Sequence, residues 1–131
     1  MISILLVDDQ ATILELGTQI LKSLGYSVVP CLGSVKALEV FQKHPRAFDL
    51  VITDFMMPEM KGNRLAAEIR FIRTDVPIIL CTGHGSFPKA AIHEWGFDGF
   101  ILKPYEIKDI ACLIKQLVRQ PSTPRKVGIG A

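Results

Sequence analysis

Four apolar stretches in this chain end on residues suited to binding metal or moving a phosphoryl group. They are LLVDD at Asp8-Asp9, LVITD at Asp54, IILCT at Thr82 and GFILK at Lys103. In a parallel sheet every strand ends at the same edge, so residues far apart in sequence meet in one crevice there. Three carboxylates, a hydroxyl and an ammonium would share that crevice. Carboxylate oxygens suit a hard divalent cation, and an ionised aspartate is a nucleophile that needs no general base. The chemistry indicated is metal-assisted phosphoryl transfer, in which positive charge must screen an anionic nucleophile from an anionic phosphoryl group.

The elements needed to bring these residues together are legible as alternating strands and helices. Ser3 to Val7 is a short apolar run. From Ala11 to Leu24 the residues Ile13, Leu14, Gly17, Ile20, Leu21 and Leu24 recur at helical spacing, and Gly25 is placed to end that helix. Tyr26 to Cys31 reads as a second strand; Ser34 is placed to cap a helix that buries Ala37, Leu38 and Phe41 and stops before Pro45. Asp49 to Thr53 is a third strand, followed by the loop DFMMPEMKG and a helix from about Asn63 to Arg73. Val76 to Cys81 is a fourth strand, with a turn at Gly83-His84-Gly85 and a short helix near Phe87 to Trp95. Phe97 to Leu102 is a fifth strand, and a last helix from about Glu106 to Arg119 carries Ile107, Ile110, Ala111, Ile114, Leu117 and Val118 on one stripe. Five strands alternating with five helices predict an α/β fold, a doubly wound parallel sheet with helices on both faces. Continuously apolar strands agree, because both faces of such a sheet are covered.

Composition excludes several other classes. The 131 residues fit one domain; 49% are hydrophobic and 21% charged, as in soluble globular proteins. No apolar run approaches the roughly 20 residues of a membrane helix, and the N-terminus lacks a basic leader and cleavage site, so a cytoplasmic protein is expected. Net charge is +2 with both signs interspersed, which is not a nucleic-acid footprint. Cys31, Cys81 and Cys112 form no CxxC pair and read as reduced thiols. After Gln120 the composition shifts to PSTPRKVGIGA, expected to be a disordered tail or the stump of a linker over 121–131.

The acidic pair of LLVDD, the Asp of VITDFMMPEMKG, the Thr of IILCTGH and the Lys of FILKP with Phe100 before it occur in order and at strand ends. Together they resemble the receiver domain of two-component response regulators over residues 1–120, which implies a flavodoxin-like fold with strand order 2-1-3-4-5. The resemblance implies that Asp54 accepts a phosphoryl group from a phosphohistidine on a sensor histidine kinase or histidine phosphotransfer protein. It further implies Mg²⁺, with Mn²⁺ as a substitute, held by Asp9, Asp54 and the backbone carbonyl of Met56, and by Asp8 through a water. Lys103 would balance the phosphoryl charge and pair with Asp54 before phosphorylation. Thr82 and Phe100 would form the switch that reshapes the surface of the fourth helix, fifth strand and last helix, where an output partner or a second copy would dock. Leu113, lying off the buried stripe, marks that face. Beyond self-phosphorylation and autodephosphorylation no enzyme activity is expected. Met56 and His84 depart from the polar residues commonest at their positions, and a bulky Met56 favours slow hydrolysis of the acyl phosphate.

Singly, each of these residues has a plainer reading. An acidic pair at a strand end makes a solvated turn, Thr82 a loop cap and Lys103 a solvated charge; their joint occurrence carries the assignment. Gly83-His84-Gly85 is no dinucleotide fingerprint, since Pro88 stands where the third glycine belongs. Trp95 and Phe97 are expected to pack against the core. A haloacid-dehalogenase-like phosphatase would need an acid two residues after Asp54, where Met56 stands, and a phosphate-independent docking module would not need all five site residues.

Overall fold

Five strands and four helices alternate along residues 1–83, 91–103 and 106–118, which the computed structural model describes. In chain order they are β1 (Ser3–Asp8), α1 (Ala11–Ser23), β2 (Ser27–Leu32), α2 (Ser34–Lys43), β3 (Leu50–Thr53), α3 (Gly62–Ile72), β4 (Ile78–Thr82), β5 (Gly99–Leu102) and α4 (Ile107–Val118). All strand pairs are parallel, in the order β2-β1-β3-β4-β5. This is the expected doubly wound sheet. Successive side chains of a strand point to opposite faces, and β1 shows the division. Leu5 and Val7 join one core with Ala37 and Phe41 of α2 and Leu65, Ala66 and Ile69 of α3. Ile4 and Leu6 join the other, with Leu21 of α1 and Ile110 and Ile114 of α4. β3 and β4 are buried at every position, which is why their sequences do not alternate.

The outer strand β2 is different. Val29, Pro30 and Leu32 are exposed there, and Pro30 lies opposite Leu6.

Helix ends follow backbone requirements. Gly25 takes φ 96°, a left-handed conformation open to glycine, and terminates α1 as expected. Ser34 is not the cap: Gly33 occupies that position with no side-chain bond, while Ser34 is the first residue of α2, with a buried hydroxyl that has no hydrogen-bond partner among the described residues. The expected helix from Phe87 to Trp95 falls partly outside the described residues, and its described end has residue 91 in a 3₁₀ conformation followed by turn over 92–96. The expected tail, 121–131, also lies outside them. Leu113 is half-buried: it packs on the α1/α4 core and also lines the open groove between β5 and α4, and its methyls lie 3.1–3.2 Å from where a Cβ on Gly99 would be. A strand glycine there lets the helix approach β5 closely.

Arg70 ties the two sides of the β4–β5 connection together. Its guanidinium donates to the Gly96 carbonyl from Nε and Nη2 (3.2 and 2.9 Å), to Asp98 Oδ2 (2.7 Å), to the Thr74 carbonyl (3.0 Å) and to the Val76 carbonyl. Asp98 Oδ2 also accepts the Ile78 N–H at 2.8 Å. One side chain of α3 thus fixes the entry to β4 and the turn before β5.

Candidate functional site

The parallel register sets Asp8, Asp54, Thr82 and Lys103 at one sheet edge. β1 and β3 pair through Val7 and Thr53, so Asp8 and Asp54 leave adjacent strands at the same height. The Asp54 N–H donates to the Val7 carbonyl at 3.2 Å, which continues the ladder one step beyond β3. Thr82 pairs with Leu102, and the Lys103 N–H donates to the Thr82 carbonyl at 2.9 Å. Lys103 therefore starts from the end of β5 and reaches across β4 towards the acids.

Carboxylate oxygens of Asp8, Asp9 and Asp54 lie within 4.8 Å of one another. Three anionic oxygen ligands at that spacing fit a hard divalent cation, and the absence of sulfur or imidazole among them disfavours softer metals. Asp8 Oδ1 accepts the Gln10 N–H (3.0 Å) and Asp54 Oδ1 accepts the Phe55 N–H (2.7 Å). Lys103 Nζ donates to Asp8 Oδ2 at 2.5 Å and to Asp54 Oδ2 at 3.3 Å. The expected pairing of Lys103 with Asp54 is present, and the ammonium also bridges to Asp8, to which it is closer. Asp8 and Thr82 are each 1% exposed and Asp54 9%, whereas Asp9 is half-buried. Phe100 is half-buried against the α2/α3 core, Met56 is exposed on the loop after Asp54, and His84 lies outside the described residues.

Burial pushes the Asp54 carboxyl above its ordinary value; Lys103 opposes this, Asp8 adds to it, and the Phe55 N–H opposes it. Burial works against the Lys103 ammonium, but the hydrogen bond to Asp8 and the charges of Asp54 and Asp8 outweigh it and hold that group above 10.5. Asp54 consequently lowers stability at neutral pH. Its native form binds a proton more tightly than the unfolded chain does, so stability falls as pH rises from 3.8 through the raised native value. Asp54→Asn is expected to stabilise the fold by about 1 kcal/mol at pH 7, as is common when a functional charge is removed. Thermal melts check this. The gain should shrink below pH 3.8, and a variant less stable than the wild type at pH 7 would refute it.

Two parts of the site had no role in the sequence reading. One is the Phe55 amide on Asp54. The other is Gly62, which opens α3 against the Asp54–Phe55 backbone: its N–H donates to the Phe55 carbonyl at 2.8 Å. A Cβ on Gly62 would lie 2.3 Å from the Asp54 carbonyl oxygen. A glycine beginning a helix just after the loop that follows Asp54 is the available signal for the second; a backbone amide leaves none.

The family model described as "Response regulator receiver domain" matches residues 4–115. The chain is 31% identical over 120 residues to the sensor kinase CckA of Brucella abortus, a match covering 90% of this chain and 13% of that one. It spans half or less of the length of the curated relatives it matches. Among solved structures, a response regulator receiver domain protein from Clostridium thermocellum has a TM-score of 0.86 at 29% identity, covering 92% of this chain and 97% of the other. The response regulator TrrA of Thermotoga maritima, solved in complex with Mg²⁺-BeF, has a TM-score of 0.82 at 32% identity and covers 89% of this chain and 99% of its own. The match over most of the chain, the 2-1-3-4-5 sheet and the acids gathered at its edge agree: the chain belongs to the response regulator receiver domain family of two-component systems.

Proposed function

We propose that this chain is a phosphoacceptor, with Asp54 receiving a phosphoryl group from a phosphohistidine of a sensor histidine kinase or histidine phosphotransfer protein. The observation that carries this is Lys103 reaching both Asp8 and Asp54 beside three clustered carboxylates. In the transfer, an Asp54 carboxylate oxygen forms a bond to phosphorus as the P–N bond to the donor imidazole breaks. The bonding pair leaves with the imidazole, which is neutral when its other nitrogen carries a proton. Asp54 needs no base, because it attacks as the carboxylate.

Asp9 and Asp54, with the Met56 carbonyl and Asp8 through a water, would hold Mg²⁺ or Mn²⁺. A bound ion of this kind supplies positive charge to the phosphoryl oxygens. TrrA, solved with Mg²⁺-BeF, supports that assignment by likeness. Lys103 supplies the second positive charge: once Asp54 carries the phosphoryl group, the Lys103 ammonium is free to turn from Asp54 to the phosphoryl oxygens while Asp8 keeps it at the site. The Thr82 hydroxyl then donates to a phosphoryl oxygen and Phe100 moves inward. This stabilises a second conformer through contacts that the unphosphorylated form lacks. The output face includes the open groove between β5 and α4, lined by Leu102, Glu106, Asp109 and Gln116.

Intact-mass analysis after incubation with acetyl phosphate tests this reading. The expected result is one phosphoryl adduct that requires Mg²⁺, is lost with EDTA and is absent from Asp54→Ala. Adduct formation undiminished in Asp54→Ala, or no adduct in the Mg²⁺-loaded wild type, overturns it.

A further inference from the structure

Phe55 and Trp95 come from separate segments, the loop after β3 and the turn before β5, and their rings stack. The centroids are 5.3 Å apart and the planes 15° from parallel, within the range of favourable aromatic pairs. Phe55 is also the residue whose N–H holds Asp54 Oδ1 at 2.7 Å. The direction of a backbone amide is set by what is fixed around its Cα. For Phe55 the carbonyl is held by the Gly62 N–H at 2.8 Å, and the ring is held by Trp95.

Trp95 is the more firmly seated partner. Its N–H donates to the Ala91 carbonyl at 2.9 Å, the Gly96 N–H donates to the His93 carbonyl at 3.0 Å, and the Phe97 N–H donates to the Ile92 carbonyl at 3.1 Å. The Gly96 carbonyl accepts two guanidinium bonds from Arg70, and Phe97 is buried. The constraint therefore runs from this pinned turn, through the Trp95 ring, to the loop that carries the phosphoacceptor.

We infer that Trp95 is a positioning residue for phosphoryl transfer: its stack fixes Phe55, whose amide holds Asp54 with Oδ1 on that amide and Oδ2 towards Lys103. The inference rests on the phosphoacceptor reading above. Trp95 touches no reacting atom and acts through Phe55. If it served only as core packing, its loss would lower stability and leave the reactivity of the folded molecules unchanged. As a positioning residue it controls how often the carboxylate is aligned for attack, a misalignment that is costly even at small amplitude.

The test measures the initial rate of acyl phosphate formation against acetyl phosphate concentration, at saturating Mg²⁺ and below the melting range. Wild type, Trp95→Ala, Trp95→Phe and Phe55→Leu are compared, and the Phe55 amide proton shift is followed by NMR. Trp95→Ala is expected to lower the maximal rate about tenfold with little change in the half-saturating concentration. Its Phe55 amide proton should move upfield as the bond to the carboxylate weakens. Trp95→Phe keeps a ring and should restore both readouts to near the wild-type values. Phe55→Leu keeps bulk without a stack and should behave like Trp95→Ala, so the result survives a Trp95→Ala chain that fails to fold. A maximal rate and an amide shift unchanged in folded Trp95→Ala or Phe55→Leu would overturn the positioning role and leave the phosphoacceptor reading standing. An amide that moves in a protein whose wild type takes up no phosphoryl group would instead remove the phosphoacceptor reading, and with it the role in transfer, leaving only the structural coupling.

Discussion

Gly62→Ala is expected to cost about 3 kcal/mol and to lower the melting temperature by roughly 10 °C, because the added methyl has nowhere to go. Its Cβ would lie 2.3 Å from the Asp54 carbonyl oxygen, 3.0 Å from Phe55 Cα and 3.2 Å from the Asp54 carbonyl carbon. All three are backbone atoms, so no side-chain rotation relieves the overlap. Either α3 withdraws and loses the bond from the Gly62 N–H to the Phe55 carbonyl, or the Asp54–Phe55 peptide shifts. Phosphoryl uptake should therefore fall about a hundredfold even in the molecules that remain folded. Gly25→Ala provides the contrast. At φ 96° with no atom of the described residues within 4 Å of the new carbon, it carries only the left-handed backbone penalty, about 1–2 kcal/mol, and should leave uptake alone. Denaturant melts and adduct kinetics on both variants decide the matter; equal losses of uptake would show that close approach at Gly62 is not what shapes the site.

Lys103→Met is expected to destabilise the fold by about 3 kcal/mol at neutral pH, since it removes the counter-charge from two buried carboxylates. The Asp8 side chain is 2% exposed, Asp54 11% and Lys103 itself 16%. The sign of the pH dependence follows from the raised value of the ammonium. Its stabilisation is fully present below 10.5 and is lost as pH rises through the higher native value. The gap between wild type and variant should therefore be wide at neutral pH and close in strong alkali, provided both still melt cooperatively there. Adding Asp54→Asn to Lys103→Met should recover part of the loss, because one of the stranded carboxylates is gone. A double variant no more stable than Lys103→Met would contradict this account, as would a gap that stays constant far above 10.5.

The sequence showed the sheet clearly because burial on both faces leaves a direct trace: ILLV, LVI and IILC are apolar without interruption. It also showed which residues meet, since strand ends in a parallel sheet share one edge. Which oxygen faces which nitrogen was not legible. Whether Lys103 sits nearer Asp8 or Asp54 depends on side-chain torsions at the end of β5, and those follow from packing of the whole site. The Arg70 network was equally hidden, because most of its acceptors are carbonyls and a carbonyl has the same identity at every residue. Ser34 was misplaced by one position: a serine before a helix normally caps it, but Gly33, at φ 95°, turns the chain earlier. The packing of Leu113 on the core was also hidden, because that contact is made possible by a side chain that Gly99 lacks.

Pro30 has a bearing on how the protein behaves at high concentration. The Ser27 N–H donates to the Ile2 carbonyl and the Gly33 N–H to the Asp8 carbonyl, so odd-numbered residues of β2 turn their amides inward to β1 and even-numbered ones turn outward. Pro30 is even-numbered, and the amide it lacks is one that a foreign strand would use. The outer side of β2 thus offers Val28 and Leu32 as donors with a gap between them, beside exposed Val29 and Leu32 side chains that would otherwise attract a neighbour. A missing hydrogen atom at one position guards this edge against intermolecular sheet growth.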